Sequence, residues 1–126
     1  MEILSVGIGG FIGSCLRFFL TRFFQQVLPA FPYGTLASNV IAAILIGFII
    51  GLERNTSPLP AHLKLFFITG FLGGLSTFSA FSLETVVLLE QSSYALAGLN
   101  ILLNVVICLI CVVVGMLAAK HLVLAS

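Results

Sequence analysis

The chain has 126 residues, 60% of them hydrophobic and 7% charged, with a formal net charge of +1. A water-soluble domain of this size does not carry so few charges, and five Lys and Arg leave no surface for nucleic acid. Four spans of about 20 residues use up most of the length, which leaves short loops and no extramembrane domain.

The start, Met1-Glu2, has no basic region, so it does not read as a removable signal peptide. The first predicted helix covers about residues 3–24. Gly9 and Gly13 sit one turn apart in it and make a close-packing face. Arg17 lies near its end, with Arg22 beyond. An arginine there either snorkels to the headgroups or places a cation at a pore vestibule.

Pro29 and Pro32 mark a loop, and the second predicted helix covers about residues 33–53. Asn39, Ala43, Gly47 and Gly51 recur at one-turn spacing. The small residues form a helix-packing stripe. Asn39 opens that stripe, so it faces a neighbouring helix or the gap between helices. Its amide brings two N–H donors to a dry place.

Pro58 and Pro60 mark the next turn, and the third predicted segment covers about residues 61–90. It contains Gly70-Phe-Leu-Gly-Gly-Leu-Ser-Thr-Phe-Ser-Ala-Phe-Ser-Leu-Glu84, which is unlike a lipid-facing helix. Gly73 and Gly74 weaken the helix, since glycine costs about 1 kcal/mol relative to alanine in a helix interior. Ser76, Thr77, Ser79 and Ser82 can bond the backbone groups that a break releases. Non-helical backbone at membrane depth survives only inside protein or along a watery cavity. A break near Gly73–Thr77 at a functional centre is therefore expected. Phe78 and Phe81 share a helix face beyond it. A phenyl ring is negative on its face and positive at its edge, so ring edges can contact a small anion weakly. Conduction needs binding strong enough to enter and weak enough to leave. The rival reading of the two rings is plain packing. Glu84 is an acid inside a membrane segment, which marks either function or approach to the interface.

The fourth predicted helix covers about residues 95–120. Asn100, Asn104, Cys108 and Cys111 fall on roughly one face and suggest a polar track, with interhelical bonding as the rival. Cys108-x-x-Cys111 has a redox or metal spacing, but no His or second Cys pair accompanies it, so it reads as two small residues on a helix. Basic residues divide three to two between the membrane sides, Arg54, Lys64 and Lys120 against Arg17 and Arg22. So little positive-inside bias allows insertion both ways. One copy could then pair with an inverted copy.

The run Gly73-Gly-Leu-Ser-Thr-Phe-Ser-Ala-Phe81, with Ser82, Glu84, Arg17, the Gly9-Gly10 region, and Gly34-Thr35-Leu36 with Asn39, resembles the CrcB or Fluc family of small bacterial fluoride channels. The resemblance covers the whole chain. It implies an all-α, four-helix membrane subunit in a dual-topology, inverted homodimer of the bacterial inner membrane. It also implies two pores that passively export fluoride left in the cell when HF dissociates, and so fluoride resistance rather than an enzyme's activity. Matched by position, Phe78 and Phe81 are ring-edge fluoride ligands, Asn39 the pore asparagine and Arg17 the vestibule arginine. Asn104, Ser79, Ser82 and Glu84 line the track. The carbonyls of Gly73 and Ser76 hold a structural Na+ shared by both subunits, which suits a hard cation. Ala80 departs from the family's usual threonine and removes one hydroxyl from the track. The alternative is a small dual-topology cation/drug antiporter, but Trp is absent and Glu84 is its only embedded acid.

Overall fold

The computed structural model describes residues 1–126, and every regular element in it is helical. Four spans are long and apolar enough to cross a membrane: Glu2–Val27, Tyr33–Asn55, Ala61–Glu90 and Tyr94–Ala125. The first two are single helices, α1 (Glu2–Val27) and α2 (Tyr33–Asn55). The third joins α3 (Ala61–Lys64), a π-helical stretch (Leu65–Leu72), α4 (Gly73–Leu75) and α5 (Phe78–Glu90). The fourth joins α6 (Tyr94–Leu102), a second π-helical stretch (Leu103–Ile107) and α7 (Cys108–Ala125).

Small residues set the packing. Gly9 and Gly13 bring α1 onto the backbone of Phe66, Gly70, Phe71 and Leu75. Gly74 in turn meets the Gly10 carbonyl and Ser14. On the other side, Gly47 and Gly51 of α2 rest on the backbone of Val112 and Met116, and Gly115 of α7 rests on Ile44 and Phe48. A methyl group at these glycines would overlap main-chain atoms, which cannot swing aside. Without a hydrophobic drive in lipid, such close approach is what associates membrane helices. The bundle is thus two helix pairs, α1 with the first half of the third span and α2 with α7.

Only 21 of 126 residues are buried, while large apolar side chains such as Phe11, Phe19, Leu83 and Leu109 stand exposed on all sides. That inside-out balance needs a bilayer as solvent, so the chain is a multi-pass membrane protein. The loop between α2 and α3 is clasped by Glu53. Its carboxylate accepts from the Leu59 N–H and pairs with the Lys64 ammonium, both at 3.0 Å.

Candidate functional site

The third span changes course at two residues. Ser76 (φ −78°, ψ 153°) and Thr77 (φ −153°, ψ 120°) are extended between α4 and α5. The Thr77 hydroxyl then caps α5, accepting from the Ala80 N–H at 3.2 Å. The Thr77 N–H donates to the Asn39 Oδ1 at 2.8 Å. In an unbroken helix those two N–H groups would have closed turns on the Ser76 and Gly73 carbonyls. Both carbonyls lose their helical donors as a result. The neighbouring Gly74 carbonyl accepts from the Arg17 Nε at 3.0 Å. Arg17 is half-buried at the depth of the turn instead of running outward along α1. Arg22, one turn on, lies over the Phe18 ring at 5.6 Å.

Asn39 ties the turn to the fourth span. Its Nδ2 donates to the Asn104 Oδ1 at 2.9 Å and, more loosely, to the Thr77 carbonyl at 3.3 Å. Asn104 Nδ2 reaches both the Asn100 Oδ1 (2.9 Å) and the Asn100 carbonyl (3.0 Å). Asn100 Nδ2 donates to the Thr85 hydroxyl at 2.9 Å, and that hydroxyl donates to the Phe81 carbonyl at 2.8 Å. Buried amides in hydrocarbon need such partners, because each unpaired polar group is costly. The Asn39 hydrogens are therefore engaged, and its long bond to Thr77 is the one most easily exchanged for another acceptor.

Phe78 and Phe81 begin α5 with ring centroids 5.5 Å apart and planes inclined by 56°. They differ in cover: Phe81 is 8% exposed and Phe78 is 77% exposed. Both rings border an open groove of about 380 Å³ that Asn39, Asn104, Gly73 and Ser76 also line. Cys108 lies on the same groove, and all three cysteines are free. Ser79 and Ser82 bond locally, Ser79 to the Thr77 hydroxyl at 3.2 Å and Ser82 to the Phe78 carbonyl at 2.9 Å. Glu84 lies apart, over a second depression of about 350 Å³ near the α1–α2 loop. Its Oε1 accepts from the Thr35 hydroxyl at 2.7 Å, while its Oε2 is enclosed without a partner. The structure thus gathers Phe78, Phe81, Asn39, Asn104, Gly73 and Ser76 in one groove and sets Glu84 one level beyond it.

Thr85 is absent from the residues singled out by sequence, and Thr35 enters there only within the Gly34-Thr35-Leu36 run, with no role assigned to its hydroxyl. Thr85 lies one turn beyond Phe81 and two beyond Phe78, so its spacing alone places it on their face. Thr35 lies one turn before Asn39 and carries the corresponding signal on α2.

A family model described as "CrcB-like protein, Camphor Resistance (CrcB)" matches residues 4–116. Among curated proteins, the chain is 42% identical to a "Fluoride-specific ion channel FluC" of Citrifermentans bemidjiense, over 96% of this chain and 98% of that one. It is 42% identical to the protein of the same name from Clostridium novyi, over 93% and 92% of the two chains. A third such protein, from Campylobacter fetus, is 43% identical over 86% of this chain and 85% of its own.

Proposed function

The chain belongs to the CrcB-like family, and from that premise we propose that it is a fluoride-selective channel exporting the ion passively across the bacterial cell membrane. The observation that carries this reading is the groove itself. Two phenyl rings, two backbone carbonyls without helical donors and two amides meet there at an interruption of a membrane span. Ring edges attract an anion weakly, which suits passage better than the tight hold of a lysine. Asn39 can take part by giving up its long bond to the Thr77 carbonyl. Ser79 and Ser82 supply hydroxyls on the exposed side of α5, and Glu84 borders the path beyond the rings. Arg17 draws anions toward the same level while holding the Gly74 carbonyl.

The working unit is an inverted homodimer. Phe78 is 77% uncovered by its own subunit, so a single copy leaves the groove open along one side. A second copy inserted upside down would close it and create two pores, and the weak charge bias permits that insertion. The Gly73 and Ser76 carbonyls fit a sodium ion at the centre of such a dimer, because their usual N–H donors are engaged elsewhere. Bound there, the ion would neutralise the facing carbonyl dipoles and tie the subunits together. The antiporter reading is set aside: these relatives are named as fluoride channels, and Glu84, its one candidate acid, is already bonded to Thr35.

Purified protein in liposomes loaded with fluoride tests the reading. Efflux followed with a fluoride electrode should proceed with no proton gradient. Drug or cation uptake driven by a proton gradient, with no fluoride release, would support the antiporter.

A further inference from the structure

The hydrogen bonds that link the Thr77 turn to Phe81 all run in one direction, and both ends fix that direction. A backbone N–H can only donate. The Thr77 N–H therefore turns the Asn39 Oδ1 toward itself, at 2.8 Å. This commits the Asn39 Nδ2 to the Asn104 Oδ1, and the Asn104 Nδ2 to the Asn100 Oδ1. Asn100 is left with Nδ2 for Thr85. At the other end, the Thr85 hydroxyl has one proton and gives it to the Phe81 carbonyl, so its oxygen must accept. Read from either end, the order is the same. No amide in the row can flip without setting donor against donor.

The row leaves the third span at Thr77, crosses α2 and the fourth span, and returns to the third span at Thr85. It brackets the segment that carries both rings. Asn100 is fully enclosed, and neither Asn100 nor Thr85 lines the groove. We propose that Asn100 and Thr85 are positioning residues for the Phe78–Phe81 ring pair, locking the extended turn at Thr77 to the Phe81 backbone through a one-way row of amides. A row of this kind passes on defects. Loss of the Thr85 acceptor leaves the Asn100 Nδ2 unpaired, so Asn100 is held less firmly, and with it Asn104 and then the Asn39 Oδ1 that accepts from the Thr77 N–H.

The test compares Thr85→Val, which keeps the shape and removes the acceptor, with Thr85→Ser, which keeps the hydroxyl. Thr85→Ala is the second acceptor-free variant should Val not fold. Backbone hydrogen exchange of the intact protein is read at Thr77, and unitary fluoride current is read in planar bilayers. In the acceptor-free variant, Thr77 exchange should rise about tenfold, the factor that accompanies loss of one net hydrogen bond. Amides of α1 and α7 should keep their protection, and unitary current should fall severalfold. Thr85→Ser should match wild type in both. Unchanged Thr77 exchange in the acceptor-free variant overturns the proposal, as does exchange rising equally throughout the bundle. Only the current readout rests on the fluoride-channel reading. A wild type that conducts no fluoride while Thr77 exchange responds would refute that reading and leave the amide row standing.

Discussion

The two halves of the third span are held in different ways. Before Ser76, the chain meets α1 through Gly70 and Gly74 against Gly9 and Gly10, and through the Phe71 and Leu75 backbone against Gly13, so the contact is backbone on backbone. After Thr77, α5 is tied by side-chain hydrogen bonds: Glu84 to Thr35 on α2, and Thr85 to Asn100 on α6. The first half is fixed mainly by shape, with the Arg17 bond to the Gly74 carbonyl added to it, and the second by directed polar contacts. Shape complementarity tolerates no added volume. Directed contacts tolerate a change of volume but no loss of a donor or acceptor. The rings and the freed carbonyls lie where the two regimes meet.

Substitutions can break this contrast, and the largest effect is expected on the shape side. Gly13→Leu should prevent assembly of the α1 pair, because its side chain would enter the Phe71 carbonyl and the Leu75 backbone. The expected result is loss of the folded species on size exclusion in detergent. Recovery of a normal folded peak would show that the glycine contact is dispensable.

Asn39→Leu comes next. An interhelical hydrogen bond in a membrane averages about 0.6 kcal/mol, but a buried group left without a partner costs about 1–3 kcal/mol. This change strands the Thr77 N–H, so the second figure governs. Destabilisation of about 1–3 kcal/mol is expected in reversible unfolding, with fluoride efflux reduced in the protein that remains folded. A fully stable variant with normal efflux would remove Asn39 from the site.

The contrast also explains how much the sequence revealed. Four apolar spans follow from composition and proline spacing. The glycine faces of α1 and α2 follow from their one-turn repeats, and the structure seats both on neighbouring helices. The polar ties were harder to read. Thr85 looks like an ordinary residue near a span end, and the Gly34-Thr35-Leu36 run says nothing of what the Thr35 hydroxyl bonds, because hydrogen bonding between distant segments leaves no local pattern. Asn100 and Asn104 stand out as a pair, but their partners depend on how α2 and the fourth span meet. Arg17 shows the same limit. Its position near the end of the first predicted helix suggested the headgroups or a vestibule, whereas its bond to the Gly74 carbonyl depends on the close approach of two helices.

Smaller effects sharpen the polar side. Thr35→Val removes the one donor to Glu84 and leaves neither carboxylate oxygen with a hydrogen-bond partner. Fluoride efflux should fall severalfold while the protein still assembles, and Thr35→Ser should restore it. Efflux unchanged in Thr35→Val would detach Glu84 from the path. The smallest effect is expected at the α2–α3 loop. Lys64→Ala breaks an exposed ion pair with Glu53. Such pairs contribute little, so neither thermal stability nor efflux should move measurably. A clear loss of transport there would mean that the loop, and not the groove, controls passage.

The most direct test of the central claim is the rate of fluoride efflux per reconstituted protein for wild type, Phe78→Ile and Phe81→Ile in liposomes. Isoleucine fills comparable space but has no polarised ring edge. Wild type should empty the liposomes of fluoride while retaining chloride. Both variants should assemble, with Phe81→Ile slowing efflux by about tenfold or more, as expected if a weak ring-edge contact is lost where water has been stripped away. Normal fluoride efflux through well-folded Phe78→Ile and Phe81→Ile variants would contradict the claim that these rings form the path.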